Sequence, residues 1–137
     1  MLVVFSMQFQ FYVITVGTWF VFMVLAIVNA VVRNSVYRPV VGELVAHQIS
    51  TVVFIGLILI TTFLVFRFSR FELSDSEALL MGGLWLTGTI LFEFVAGYFV
   101  FGNSWEHLFA DYNLLKGRVW SLVLVTTFFA PFIVNKF

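Results

Sequence analysis

The segment from Leu84 to Phe101 constrains this chain most, because it is apolar and long enough to cross a lipid bilayer yet contains one acid, Glu93. A carboxylate well inside a membrane span costs about 2.5 kcal/mol or more. Such a group persists only if it is protonated, paired with another polar group or turned toward water. If Glu93 is paired, the rest of the chain must therefore supply its polar partner.

The composition is typical of a membrane protein. Of the 137 residues 62% are hydrophobic and 10% are charged, whereas a soluble domain carries about a quarter charged residues. The chain has no cysteine, which excludes disulfides and thiolate metal sites. Its formal net charge is zero, so no nucleic-acid partner is expected. Residues 1–32 contain no Lys or Arg, so we expect the first span to be retained rather than cleaved as a signal peptide.

Four hydrophobic runs predict four transmembrane helices in one membrane domain that covers residues 1–137, with spans at about 10–32, 42–66, 77–101 and 116–134. Residues 33–39 are expected to form a polar turn, since Pro39 disfavours helix at Arg38 and suits the first turn of a new helix. Ser74 and Glu77 have the capping-box spacing, which predicts that the third helix begins near Asp75. Pro131 is expected to bend or end the last turn of the fourth helix.

Two local patterns refine this architecture. Trp105 begins an i, i+3, i+4, i+7 series of apolar residues, which predicts an amphipathic helix on the membrane surface at about 104–113. Asn29 is the strongly polar residue in the second half of the first span, and we expect it to hydrogen-bond to a neighbouring helix. The predicted fold class is all-α: a polytopic four-transmembrane-helix bundle with a short interfacial helix between spans three and four.

The third span carries a stripe that is expected to face protein. Trp85, Thr89, Glu93 and Gly97 recur every four residues and so share one side of a helix. Thr89 lies one turn from Glu93 and is a candidate hydrogen-bond partner. Small residues elsewhere in this span allow neighbouring helices to approach closely.

Most polar chemistry is expected on the side of the membrane toward which Glu93 is displaced, a few ångströms past the middle of its helix. With alternating spans, the segments 33–39 and 102–117 meet on that side. The predicted intramembrane polar cluster contains Glu93, Thr89, Glu43, His47, Arg33, Arg38, Asp111, Asn113 and Arg118.

Three interpretations of Glu93 remain open at this point. It pairs with Arg118, Arg33 or Arg38 and holds the bundle in register. Alternatively, it is a protonatable or cation-binding group in a path through the protein, as intramembrane acids often are. In the third interpretation it is protonated and hydrogen-bonded to Thr89 or Tyr98.

The sequence contains no compact metal-ligand or catalytic motif, so an enzyme is less expected than a protein without catalytic activity, and the cofactor is unknown. A membrane enzyme that uses the cluster of Glu, His and Asp side chains is the third alternative. Weak metal-ligand candidates are Glu43, His47, Glu93, His107 and Asp111. Of these, Glu43 and His47 share a helical face, although an interfacial histidine held by a hydrogen bond is the simpler interpretation. Haem or chlorophyll ligation by His47 is a minor alternative.

The segment Phe92–Gly97, the pair Ser104–Trp105 and the segment Asp111–Trp120 form the pattern FEFxxG … SW … DYNLLKGRxW. This pattern resembles an uncharacterised family of small four-span bacterial integral membrane proteins. The resemblance implies no activity, but it does imply that Glu93, Asp111, Asn113 and Arg118 belong to one feature.

Lys and Arg are almost equally divided between the two sides, which allows dual insertion and an antiparallel dimer. Small multidrug exporters are similar in outline, although their essential acid lies in the first span, where this chain has none.

Two functions follow for a protein of the bacterial inner membrane. The first is a homo-oligomeric transporter or channel-like protein that moves a proton, ion or small solute through Glu93. The second is an accessory or structural subunit of a larger respiratory or photosynthetic membrane complex. The expected partners are therefore the lipid bilayer and either further copies of the chain or other membrane subunits.

Overall fold

The structure is a computed structural model of the chain, and it describes residues 2–69, 72–100, 102, 104–106 and 120–136. These residues are almost all helical and include no strand, which confirms the all-α prediction. The α-helices are α1 Leu2–Val32, α2 Arg38–Val41, α3 Glu43–Ser69, α4 Asp75–Val95 and α5 Trp120–Asn135. Two π-helical turns, Arg33–Tyr37 and Ala96–Val100, extend α1 and α4.

Three helices are long and apolar enough to cross a membrane. They are Gln8–Val41, which combines α1, the first π-helical turn and α2, followed by α3 and α4. In α5 the apolar part of the described helix, Ser121–Asn135, is shorter. The predicted start of the fourth span and most of the predicted interfacial helix lie outside the described residues, although Trp105 and Glu106 are helical.

The predicted turn at residues 33–39 is wrong. Residues Arg33–Tyr37 form a π-helical turn, and Arg38 is helical with φ −56° and ψ −42°. Pro39 lies in the first turn of α2, where a backbone N–H is not needed. The helix instead ends at Gly42, whose φ of 88° suits glycine and whose N–H donates to the carbonyl of Arg38 at 3.0 Å. The steric effect of proline on its predecessor is only a bias, and here continued helical hydrogen bonding outweighs it.

The predicted start of α4 is confirmed. Ser74 is the N-cap, and its side chain accepts a hydrogen bond from the backbone N–H of Glu77 at 3.1 Å. The Glu77 carboxylate in turn accepts from the backbone N–H of Ser74 at 3.1 Å. This reciprocal pair satisfies two of the backbone donors that a helix start leaves open.

The helices form a bundle in which α1 packs on α3 and α4, and α5 packs on the same two helices. The α5 helix therefore lies between α3 and α4, which follow each other in sequence. Indole N–H groups fix the register of α1 and α4: Trp85 donates to the Thr15 carbonyl at 2.8 Å, and Trp19 donates to the Thr89 hydroxyl at 3.2 Å. Both pairs are separated by 70 residues, so α1 and α4 run parallel with a constant offset.

Large side chains fill the middle of the bundle. Trp85 is 1% exposed and meets Phe22 edge to face, with ring centroids 4.8 Å apart. Phe54, Ile58 and Met81 are buried in the same cluster. The prediction that the Trp85–Thr89 side of α4 faces protein is confirmed, since Thr89 is 4% exposed.

Gly82 marks the closest approach of two helices. A Cβ atom at this position would overlap the carbonyl oxygen of Phe128 in α5 and lie 2.8 Å from its carbonyl carbon. The backbones of α4 and α5 are therefore in direct contact, as small residues permit between membrane helices. A Cβ atom at the next residue, Gly83, would lie 3.9 Å from a ring carbon of Phe128, which is an ordinary van der Waals contact.

The interior combines large apolar side chains with hydroxyl groups, and the outer surface is apolar as well. The buried polar side chains include hydroxyls that donate to the carbonyl four residues earlier, as Thr15, Thr51, Thr62 and Thr127 do. Such bonds let a hydroxyl lie inside without a partner on another helix. Outward positions carry exposed apolar side chains, among them Phe9, Val16, Phe20, Val24, Val52, Ile60, Leu91 and Val125.

The end of α5 is tied to the segment before α4. The Asn135 side-chain Nδ2 donates to the Leu73 backbone carbonyl at 2.6 Å, and the Leu73 backbone N–H donates to the Asn135 side-chain Oδ1 at 3.3 Å. Next to it, Lys136 forms an exposed ion pair with Asp75 at 3.0 Å. The side-chain amide of Asn135 thus forms hydrogen bonds with both the backbone N–H and the backbone carbonyl of Leu73, which lies outside any helix.

We expect Asn135→Ala to destabilise the protein by about 2 kcal/mol, because it removes two hydrogen bonds of about 1 kcal/mol each. Thermal unfolding in detergent, followed by tryptophan fluorescence, measures the change. Lys136→Ala is the matched control and should cost under about 1 kcal/mol, since its ion pair is solvent-exposed. Equal effects of the two variants would contradict the assignment.

Candidate functional site

A polar layer connects α1 and α3 at the end of the bundle where Glu93 was predicted to find its partners. The Asn29 amide donates to the Ser50 carbonyl at 3.0 Å, and the Arg33 guanidinium donates to the Ser50 hydroxyl at 3.2 Å. The Ser50 hydroxyl donates to the His47 carbonyl at 3.1 Å. The prediction that Asn29 bonds to a neighbouring helix is confirmed.

Two guanidinium groups meet at one side chain in the π-helical turn. The Asn34 amide oxygen accepts from Arg33 at 3.3 Å and from Arg38 at 3.5 Å. The wider π-helical turn holds these residues close to the end of α1, and π-helical turns recur at functional sites. The Tyr37 hydroxyl is buried and has no hydrogen-bond partner within the described part of the chain.

Glu43 and His47 lie at the start of α3, as predicted. Glu43 is exposed, whereas His47 is 8% exposed and its carbonyl accepts from the hydroxyls of Ser50 and Thr51. Both residues take part in a further interaction, although the buried Nε2 atom of His47 has no hydrogen-bond partner among the described residues. His47 therefore lies in the buried part of the polar layer, and Glu43 lies at its solvent-exposed surface.

Glu93 lies deeper than the polar layer. The 70-residue offset between α1 and α4 places it at the level of Met23, about 9 Å from the level of Asn29 at 1.5 Å per residue. Glu93 follows Gly82 by about three helical turns and therefore shares the side of α4 that faces α5. It is half-buried and takes part in a polar or electrostatic interaction.

Thr89 is held by a partner that the sequence did not indicate. Its buried hydroxyl accepts the indole hydrogen of Trp19, and the same indole lies 3.0 Å from the position that a Cβ would take on Gly88. A hydroxyl that accepts one hydrogen bond still has its own hydrogen to donate. The hydrogen bond from Thr89 to Glu93 thus stays a prediction.

Several predicted site residues, His107, Asp111, Asn113 and Arg118, lie outside the described residues. Within the described ranges, no group of three or more His, Asp or Glu side chains is arranged to hold a metal ion. That finding covers Glu43, His47 and Glu93 but not the whole candidate set. The five-residue metal site and the ion pair between Glu93 and Arg118 stay predictions.

An aromatic stack covers the outer side of α4 next to the site. Gly102, with φ 67°, turns the chain, and the Trp105 ring stacks on Tyr98 at 4.9 Å and on Phe94 at 5.7 Å between centroids. Phe94 lies on the side of α4 opposite Trp85, so the chain folds back along its outer surface. Stacked Trp and Tyr rings are typical of a membrane interface.

Sequence reasoning missed Ser50, Asn34 and Trp19 as members of this region. A signal for Ser50 was present, because Asn29 and Arg33 are four residues apart and require polar acceptors on one facing helix. For Trp19 the pattern gave no such signal, since an aromatic residue in a span is ordinarily lipid-facing.

A comparison with protein-family models, curated proteins and solved structures gives no match. The resemblance to a four-span bacterial family stays a prediction.

Proposed function

We propose that this protein spans the inner membrane of a bacterium with four transmembrane helices. Three helices have the required length and hydropathy. Their outward positions carry exposed Val, Leu, Ile and Phe side chains, a surface that lipid accepts and water does not. The apolar α5, which packs along both α3 and α4, supplies the fourth crossing.

In this setting the protein is a homo-oligomeric transporter or channel-like protein for a proton, an ion or a small solute. The observation that carries this proposal is the position of Glu93, half-buried in α4 and about 9 Å below the polar layer. A carboxylate at that depth is expensive, and intramembrane acids commonly mark ion or proton paths. The polar layer above it supplies the entrance.

The packing of the core indicates where such a path would run. Phe22, Phe54 and Trp85 fill the middle of the bundle, so a route along the axis of one protomer is blocked at their level. The α5-facing side of α4, which Glu93 shares, is closed in turn where Gly82 meets the backbone of Phe128, so a route from Glu93 continues only outside the protomer. Completing that route requires a second surface, which supports a homo-oligomer.

Flux measurements on reconstituted protein test the role of Glu93. Purified protein in vesicles with a trapped pH-sensitive dye is given a potassium diffusion potential, and proton entry is recorded; sodium and potassium are then tested with matching dyes. We expect Glu93→Gln to abolish flux, because the amide keeps the shape of the side chain but cannot titrate or carry charge.

Glu106→Gln is the matched control, since Glu106 is an exposed carboxylate beyond the end of α4. It should leave flux unchanged. Both variants must insert and unfold like the wild-type protein. Wild-type flux in Glu93→Gln vesicles would refute the assignment of Glu93.

The packed core also favours a second candidate, an accessory subunit of a larger membrane complex. A bundle closed by large side chains, with apolar outer surfaces, is suited to packing against other helices. This candidate predicts that native mass spectrometry of gently extracted protein shows other polypeptides bound, and that reconstituted protein alone gives no flux. A mass that is a small multiple of 15.7 kDa would favour the transporter.

A further inference from the structure

A cavity of about 530 Å³ opens at the end of the bundle opposite the polar layer. The end of α3, the residues Glu72 and Leu73 before α4, and the end of α5 line it. The tie between Asn135 and Leu73 forms part of its wall, so two hydrogen bonds fix the distance between these segments. The cavity is thus built by the fold rather than by a single loop.

Its lining changes from apolar to charged in the direction in which the helices leave the membrane. Phe63 and Phe66 precede Arg67 along α3, and Val134 precedes Lys136 at the end of α5. The apolar side chains therefore lie on the bilayer side and the charged ones on the aqueous side. This gradient matches an amphiphile at the membrane interface, with its chains inward and its head group outward.

Three charged side chains among the described residues line the cavity: Arg67, Glu72 and Lys136. Lys136 already forms an exposed ion pair with Asp75 at 3.0 Å, and its ammonium also lies 4.7 Å from the centroid of the Phe132 ring. Arg67 and Glu72 line the same cavity, and neither has a hydrogen-bond or ion-pair partner among the described residues. The carboxylate of Glu72 would repel an anionic ligand. A zwitterionic ligand can instead pair its anionic group with Arg67 and its cationic group with Glu72.

We propose that this cavity binds the head group and upper acyl chains of a zwitterionic phospholipid of the ethanolamine class. The guanidinium of Arg67 binds the phosphate, for which its paired N–H groups are suited. The carboxylate of Glu72 accepts hydrogen bonds from the primary ammonium. Phe63, Phe66 and Val134 contact the acyl chains. The inference depends on the proposed membrane location but not on any role of Glu93.

Native mass spectrometry in detergent tests the site with two added lipids, dioleoyl phosphatidylethanolamine and dioleoyl phosphatidylglycerol. We expect the wild-type protein to retain the ethanolamine lipid several-fold better. Arg67→Gln should weaken binding of both lipids by roughly tenfold, since it removes a charge-assisted phosphate contact. Glu72→Gln should remove the preference for the ethanolamine lipid, because the ammonium loses its charged acceptor.

Arg38→Gln is the charge-matched control, because Arg38 lies at the opposite end of the bundle, and it should bind as the wild type does. The proposal is overturned if the two lipids bind equally to the wild type, or if Arg67→Gln and Glu72→Gln bind as the wild type. Displacement of the lipid by millimolar phosphoethanolamine would overturn it in favour of a soluble zwitterion. Glu93→Gln should keep full lipid binding, so failure of the transport proposal and failure of this one are distinguishable.

Discussion

Gly82→Ala is expected to separate α4 from α5 and to destabilise the protein by about 3 kcal/mol, at the upper end of the usual cost of overpacking. The added methyl group would overlap the backbone carbonyl of Phe128, and a backbone atom cannot turn aside as a flexible side chain can. Relief therefore requires α4 and α5 to move apart along their contact. Because α5 also packs on α3, that movement would disturb two interfaces.

The matched control is the neighbouring substitution Gly83→Ala, where the new methyl group would meet only ordinary van der Waals contact. It should leave stability unchanged or raise it by up to about 1 kcal/mol, since alanine is the better helix former. Thermal unfolding of both variants in the same detergent gives the comparison. If Gly82→Ala unfolds at the wild-type temperature, the direct backbone contact between α4 and α5 is not present in the folded protein.

Trp85→Ala is the second substitution with a large expected effect, and it should lower the free energy of unfolding by about 3–5 kcal/mol. The side chain is almost fully buried, contacts Phe22 edge to face and donates its indole hydrogen to the Thr15 carbonyl at 2.8 Å. Truncation leaves a cavity in the centre of the core and removes one of the two indole bonds that align α1 with α4. The variant should unfold at markedly lower temperature.

Trp85→Phe separates these contributions, because a phenyl ring retains most of the packing but cannot donate a hydrogen bond. A cost of about 1–2 kcal/mol is expected, from the lost bond and a small void. A loss as large as that of Trp85→Ala would show that the hydrogen bond, rather than volume, holds the two helices in register. Unfolding monitored by circular dichroism suits both variants, since each removes a fluorophore.

Local patterns in the sequence predicted the elements that depend on neighbouring residues. The capping box predicted the first residue of α4 because Ser74 and Glu77 each form a hydrogen bond to the other's backbone, three residues away. The four-residue spacing of Trp85 and Thr89 predicted the protein-facing side of α4. Asn29 was predicted to bond across helices because a lone amide in an apolar span has no local partner.

Features that depend on pairs distant in sequence were not predictable in the same way. Nothing near Gly82 indicates that it meets Phe128, since several glycines in this span look alike. The tie between Asn135 and Leu73 joins residues that are 62 positions apart. The sequence prediction ended the first helix too early, because a proline and a run of polar residues resemble a turn. In the structure the chain stays helical through these residues and leaves the helix only at Gly42.

The length of the helical segment that ends at Val41 affects how the protein fits the membrane proposed for it. The helix from Gln8 to Val41 has 34 residues and measures about 50 Å, while the hydrocarbon core of a bilayer is about 30 Å thick. Helices tilt by up to about 40°, and even at that angle a helix of this length is longer than the path across the hydrocarbon core. In the proposed membrane setting, the end of this helix therefore extends beyond the hydrocarbon, with Val40 81% exposed near Gly42. Arg33, Asn34 and Arg38 alternate there with Val36, Val40 and Val41. Such a mixture suits the head-group region, where long basic side chains reach toward water while their stems cover apolar surface.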